Sequence, residues 1–190
     1  MNNETFELFF AMLSVATLIG TLVILAARTV FRSSSVGAAV VDGFRPFSRP
    51  LSAAIATTCM LGSLYFSEVV NYRPCMLCWY QRIAMYSLAI VLVIAAVRRD
   101  RGIAPYAMVL AGIGALVAGY HWLLERWPAI DTGSCSADAP CSVPYFEVFG
   151  FVSLAFMAFC AFVTVIVFLV ALPSGNSAAS LKSSDTKPIA

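Results

Sequence analysis

Charge is scarce in this sequence. Charged residues fill 12% of its 190 positions, about half their share in an ordinary soluble domain. With so little to cover a water-facing surface, and with hydrophobic residues at 61%, the chain reads as a membrane protein. A net charge of +2 argues against nucleic acid as a partner, and the basic residues fall between hydrophobic runs rather than along a stripe. Histidine is rarer still, with His121 the sole example. Trp79 occupies the place after Cys78 where a c-type haem motif needs histidine. No solenoid-type repeat is visible.

Long apolar runs are what the sequence does have. Phe6–Ala27, Leu51–Val70, Trp79–Val97, Tyr106–Leu124 and Phe149–Leu172 each approach or exceed the roughly 20 helical residues that cross a bilayer. Helices are expected because open strands in lipid leave backbone groups unpaired. The short loops within Leu51–Leu172 predict an antiparallel four-helix bundle. The fold class is thus an all-α integral membrane protein, a four-helix transmembrane bundle plus one extra N-terminal helix. Residues 1–28 form that anchor, 29–50 a cytoplasmic linker read as a loop, 51–172 the bundle and 173–190 a disordered cytoplasmic tail. Glu4 and Glu7 stand where a signal peptide carries basic residues, so the first span reads as an uncleaved anchor. Ala111, Ala115 and Gly119, with Gly112 and Gly114 beside them, read as a helix-packing stripe.

Arginine placement predicts orientation. Arg28, Arg32, Arg45 and Arg49 follow the first span, and Arg98, Arg99 and Arg101 follow the third. The positive-inside rule then puts the N-terminus outside, the C-terminus in the cytoplasm, and segments 71–78 and 125–148 outside.

Four of the six cysteines fall in those two outer segments: Cys75 and Cys78, then Cys135 and Cys141. An oxidising exterior permits two local disulfides. Cys59 and Cys160 lie inside spans and read as small apolar core residues. A bridge across two intervening residues removes little unfolded-state entropy, so Cys75/Cys78 suits an exchanging dithiol better than a structural staple. Zinc is a rival, since two pairs make four ligands, but the second pair is loosely spaced and no paired histidine accompanies it. Cys78 is expected near the start of the third span, where helix N–H groups and the dipole stabilise a thiolate. Arg82, four residues on, shares its face. Arg82 reads either as snorkelling to headgroups or as the cation beside that thiolate and an electron-rich oxygen. His121 either bonds a neighbouring carbonyl or donates to a bound polar ligand. Trp79, Tyr80 and Trp122 are interfacial anchors or walls of a flat aromatic site.

The stretches "PCMLCWYQR" at 74–82, "YHW" at 120–122 and "APCSVPYFEVFGF" at 139–151 resemble the disulfide bond formation protein B family, within it the Gram-positive-like branch of small quinone-linked thiol oxidases. The likeness spans Leu51–Leu172. It implies an enzyme of the bacterial cytoplasmic membrane that reoxidises an extracytoplasmic thioredoxin-fold dithiol oxidase (disulfide bond formation protein A-like). It also implies that two electrons pass to ubiquinone or menaquinone. By that likeness Cys75/Cys78 is the quinone-proximal pair, Cys135/Cys141 the partner-facing pair, and Arg82 the quinone contact, with His121 at a matching position. The Phe6–Ala27 span and the compact second loop depart from the family pattern. Rival readings are a vitamin-K-epoxide-reductase-like enzyme, a transmembrane thiol reductant, and a scaffold with structural disulfides.

Overall fold

The computed structural model describes residues 3–100, 102–131, 135 and 140–172. Among them every named element is helical: α1 (Asn3–Thr29), α2 (Ser35–Phe44), α3 (Ser48–Glu68), α4 (Met76–Arg98), α5 (Ala104–Arg126) and α6 (Leu154–Ala171), with 3-10 turns at Arg45–Phe47 and Pro128–Ile130. The five apolar runs are the five long helices. Four of these, α1, α4, α5 and α6, combine spanning length with high hydropathy. The fifth, α3, is long enough at 21 residues but more polar. Its serines are accommodated without water: Ser52 donates to the Ser48 carbonyl at 2.7 Å and Ser67 to the Leu64 carbonyl at 3.2 Å.

Two stretches differ from the sequence reading. The last helix starts at Leu154, because Phe149 and Gly150 take left-handed φ values of 56° and 72° that turn the chain back on itself. Val148 and Val152 then pair, and Ser153 caps α6 by accepting from the Phe156 amide at 3.3 Å. The stretch read as a loop at 29–50 is largely helical. Ser34 caps α2 through the Val36 amide at 3.2 Å. Gly37 lets α2 lie against the end of α1, since a Cβ there would sit 2.1 Å from the Phe31 carbonyl oxygen. The tail expected to be disordered, 173–190, lies outside the described residues.

Lipid is as apolar as leucine, so close fit rather than water exclusion holds membrane helices together. The core follows that logic, with Ala53 and Ala56 of α3, Leu88 and Leu92 of α4, Ala107, Ala111 and Ala118 of α5, and Phe162 and Val165 of α6 in one buried cluster. The small residues of α5 serve large ones on α6. Phe162, fully buried, lies over Gly114, and Phe159 lies against Gly119. The buried stripe runs through Ala107, Ala111, Gly114 and Ala118 to His121 and Leu124, so small residues lead directly to the polar site.

Helix α1 belongs to the same body. Its Thr21 hydroxyl lies 2.9 Å from that of Thr164, buried, and Phe6 stacks on Tyr65 of α3 with centroids 4.3 Å apart. Glu7 accepts a hydrogen bond from Tyr72 at 2.7 Å.

Candidate functional site at the cysteine end of the bundle

The segment leading into α4 is pinned before it delivers its cysteine. Asn71 adopts φ 63°, and the Tyr72 amide returns to the Phe66 carbonyl at 2.9 Å. Tyr72 is then stacked between Phe66 (6.0 Å) and Tyr145 (4.6 Å), while the Tyr145 hydroxyl donates to the Arg73 carbonyl. The two loops bearing the two cysteine pairs are thus tied to each other. Burial first, then the hydrogen bond to Glu7, pushes the Tyr72 phenol up to about 12, so it stays a donor across the physiological range.

Cys75 is the N-cap of α4. Its backbone is extended (φ −72°, ψ 174°) and its sulfur accepts from the Cys78 amide at 3.4 Å. A sulfur thus fills the place usually taken by a serine or aspartate oxygen, at the positive end of the helix dipole. The two sulfurs lie 3.0 Å apart. On the other side, His121 Nε2 stands 3.7 Å from the Cys75 sulfur, and its Nδ1 lies 2.7 Å from the Gln81 side-chain nitrogen. With that amide donating, the ring proton sits on Nε2, aimed at the sulfur. Glu125 Oε1 lies 4.0 Å from the same Nε2, and the Glu125 carboxylate accepts from the α6-capping hydroxyl of Ser153. The hydrogen bond with Cys78 leads in holding Cys75 well below the usual thiol range, with His121 adding to it against burial. The cap and the imidazole therefore favour the thiolate on Cys75, whereas sequence position alone favoured Cys78.

Cys135 and Cys141 form a disulfide. Cys141 is buried, Cys135 half-exposed, and both share one apolar cluster with Cys75, Cys78, Leu77 and Leu124. Cys59 and Cys160 are free, the latter buried.

Cys78 also lines a cavity of about 340 Å³ bounded by α1, α3, α4, α6 and the 72–74 loop. Arg82 enters the same cavity. Its Nε donates to the Ser63 hydroxyl at 3.0 Å and its guanidinium to the Ser63 carbonyl at 2.7 Å, with the carbon 5.5 Å above the Trp79 ring. Buttressed by backbone and indole, the guanidinium is positioned as a fixed cation with donors left over. Gln81 and Tyr86 complete the polar end.

The structure therefore brings Cys75, Cys78, Arg82, His121 and Trp79 together. None of Trp79, Tyr80 and Trp122 is among the cavity walls, and Trp79 joins the site only by lying under the Arg82 guanidinium. Tyr80 is half-exposed on α4, and Trp122 packs on Phe156 and donates to the Phe151 carbonyl at 3.1 Å. His121 backs the cysteine rather than the cavity. Sequence reasoning missed Gln81, Glu125 and Ser63. A signal existed for Glu125, which lies four residues after His121 on the same helical face within an apolar span.

Thiol donors at a helix cap, a neighbouring disulfide in the same apolar cluster and a bundle of membrane-spanning helices define a membrane thiol–disulfide oxidoreductase. The comparisons narrow this class. The profile of the family "Disulfide bond formation protein DsbB" matches residues 47–172, and the chain belongs to that family. It is 40% identical over 127 residues to the disulfide bond formation protein C of Bacillus subtilis, covering 66% of this chain and 92% of the relative. It is 44% identical over 110 residues to a probable disulfide formation protein of Oceanobacillus iheyensis, covering 57% and 76% respectively. A probable disulfide formation protein C of Halalkalibacterium halodurans is 44% identical over 113 residues, covering 59% and 82%. No solved structure matches the chain. This membrane protein is an oxidoreductase of disulfide bond formation.

Proposed function

We propose that the protein reoxidises an extracytoplasmic thioredoxin-fold dithiol protein and delivers two electrons to a membrane quinone. The carrying observation is that one apolar cluster holds both cysteine pairs, and Cys78 of that cluster also lines, with Arg82, a largely apolar cavity. Both cysteine pairs are assigned to the outer face, with the C-terminus cytoplasmic, because arginines follow α1 and α4 and the cysteines lie at the other ends of the helices.

The half-exposed Cys135 accepts attack by the partner's thiolate, and a mixed disulfide forms as Cys141 leaves. The partner's second thiolate attacks its own bridged sulfur, so the partner departs oxidised and Cys135 and Cys141 are left as thiols. With Cys75 and Cys78, free thiols in this structure, joined as a disulfide by the preceding turnover, Cys141 then attacks Cys75, breaking that bond and releasing Cys78 as a thiolate beside Arg82. Cys135 attacks Cys141, restoring their disulfide and leaving Cys75 and Cys78 reduced. His121 and the α4 cap hold the Cys75 thiolate ready to close on Cys78 as two electrons leave the pair, the two protons a quinol takes up being those the cysteines shed on ionising. A quinone bound at Arg82 supplies the two-electron sink, becoming quinol. Arg82, the Ser63 hydroxyl and Gln81 fit the carbonyl oxygens of a quinone ring, and the apolar remainder of the cavity fits its lipid-soluble body.

The test is quinone reduction by the purified protein with a reduced thioredoxin-fold partner, comparing wild type with Cys78→Ser. Partner-dependent reduction abolished by the substitution supports the proposal; a wild type inert toward ubiquinone and menaquinone alike sinks it.

A second reading has one observation behind it. The donor atoms of Cys75, Cys78 and His121 lie within 4.8 Å of one another, a set suited to a soft metal ion. The Cys135–Cys141 disulfide removes the other two thiolates from any four-sulfur zinc site. Stoichiometric zinc in the protein purified without reductant would favour this reading over the redox one.

A further inference from the structure

The profile that places the chain in its family begins at residue 47 and leaves α1 unaccounted for. In the structure α1 closes one side of the cavity that receives Cys78 and Arg82. Phe10, Leu13 and Thr17 of α1 line it together with Ile55, Gly62 and Ser63 of α3, Phe10 packing directly on Gly62. Leu13 lies about 4.5 Å up the helix axis from Phe10 and Thr17 about 6 Å further, so the α1 wall is about 10 Å long.

Chemistry along that wall is graded. At one end stand the Arg82 guanidinium, the Ser63 hydroxyl and the Gln81 amide. Towards Thr17 and Ile55 the polar atoms are already spent: Ser14 donates to the Ala11 carbonyl at 2.8 Å and Thr17 to the Ser14 carbonyl at 2.9 Å. With those protons committed to the helix backbone, neither hydroxyl has a donor left for a ligand. A cavity with one charged end and one apolar end fits a molecule with a polar ring and an apolar chain, ring first.

The approach of α1 is built in from both partners. Gly62 admits the Phe10 ring, since a Cβ there would lie 2.8 Å from its Cε1. The Phe10 ring also packs edge-on against Phe66, with centroids 5.7 Å apart. The Glu7–Tyr72 hydrogen bond fastens α1 to the same loop that ends in Cys75.

We propose that α1 is the tail-binding wall of the acceptor site, with Phe10, Leu13 and Thr17 holding the first isoprenoid units of a quinone whose ring lies at Arg82. This inference rests on the proposed quinone reaction and adds a selectivity to it: the α1 wall discriminates among acceptors by their tails, not their rings.

The experiment uses the full-length protein in detergent with a reduced dithiol donor and two acceptors sharing one ring, a tailless benzoquinone and its isoprenyl-tailed counterpart. Leu13→Trp and Thr17→Trp fill the cavity from α1, and Ile19→Trp, on the exposed side of α1, controls for the added indole. The expected result is a KM for the tailed acceptor raised roughly tenfold in the two cavity variants, the size of effect a lost apolar subsite gives. The tailless KM, and both values in Ile19→Trp, stay at wild type. A photoreactive group on the first isoprenoid unit should label the peptide spanning Phe10–Thr17. Equal losses for both acceptors, no loss for either, or label confined to α3–α6 would each overturn the assignment. A wild type that reduces neither quinone would instead strike the proposed function itself.

Discussion

His121 Nε2 and the Cys75 sulfur face each other across 3.7 Å, one at the end of a stripe of small residues on α5 and the other capping α4. Gln81 fixes the ring by its far nitrogen, so the pair is a pre-oriented proton donor and a sulfur rather than a chance contact. In the reduced protein this arrangement, with the bond to Cys78, lowers the Cys75 pKa.

The sign of the pH dependence follows. A depressed pKa means the thiolate persists as pH falls below the ordinary thiol range and disappears only when the folded-state value is crossed. The ultraviolet thiolate absorbance of fully reduced protein should therefore survive to acidic pH in wild type. His121→Ala should move its loss upward in pH, each unit costing tenfold in thiolate at a given acidic pH. Identical titration curves for the two proteins would separate His121 from the cysteine.

Arg82→Ala should raise the KM for quinone roughly thirtyfold, the equivalent of about 2 kcal/mol for a lost charged hydrogen bond. Oxidation of Cys75 and Cys78 by a small-molecule disulfide should continue unchanged. Arg82→Lys should recover only part of the loss, because an ammonium cannot bond Ser63 and an acceptor with the same fork. Steady-state kinetics with quinone varied measures both.

Cys135→Ser should stop partner oxidation while Cys75 and Cys78, reduced chemically, still pass electrons to quinone in a single turnover. Retained turnover with the protein partner would show that electrons bypass the second pair.

Gly114→Ala should destabilise the bundle by about 1–3 kcal/mol, as overpacking does. The added Cβ would fall 2.2 Å from the Phe162 ring, which is fully buried. Thermal unfolding in detergent reads the effect, and Phe162→Leu in the same chain should return part of it.

Cys160→Ala in the core and Cys59→Ala on the cavity wall should each oxidise the partner within about twofold of wild type, since both cysteines behave as small apolar side chains. An inactive single variant, with its helical content intact, would show that the redox path runs through the core.

Hydrophobic run length located the five long helices because lipid imposes that length directly on the chain. It did not locate α2, whose Val36–Val41 run is short. That helix depends on the Ser34 cap, a local hydrogen bond, and on Gly37 meeting the Phe31 backbone where the chain folds back on the end of α1. The four paired cysteines and Arg82 were legible from spacing and orientation. Which cysteine holds the charge was not, because the N-cap position is decided by one extended residue before α4. Gln81 escaped notice beside Arg82, though its amide is what orients His121. Aromatic residues were the least informative: Trp79, Tyr80 and Trp122 look alike in sequence, yet only Trp79 reaches Arg82.

The cap on α4 also gives the enzyme's electron count a mechanical expression. Because the acceptor for the Cys78 amide is the Cys75 sulfur itself, every change in that sulfur's bonding changes how firmly the first turn of the helix is closed. A thiolate grips the amide; in the relay proposed above, a sulfur drawn into a disulfide with Cys141 would grip it less. The proposed redox cycle would therefore be readable in the protection of one backbone N–H, amide exchange at Cys78 following turnover as a clock follows its escapement.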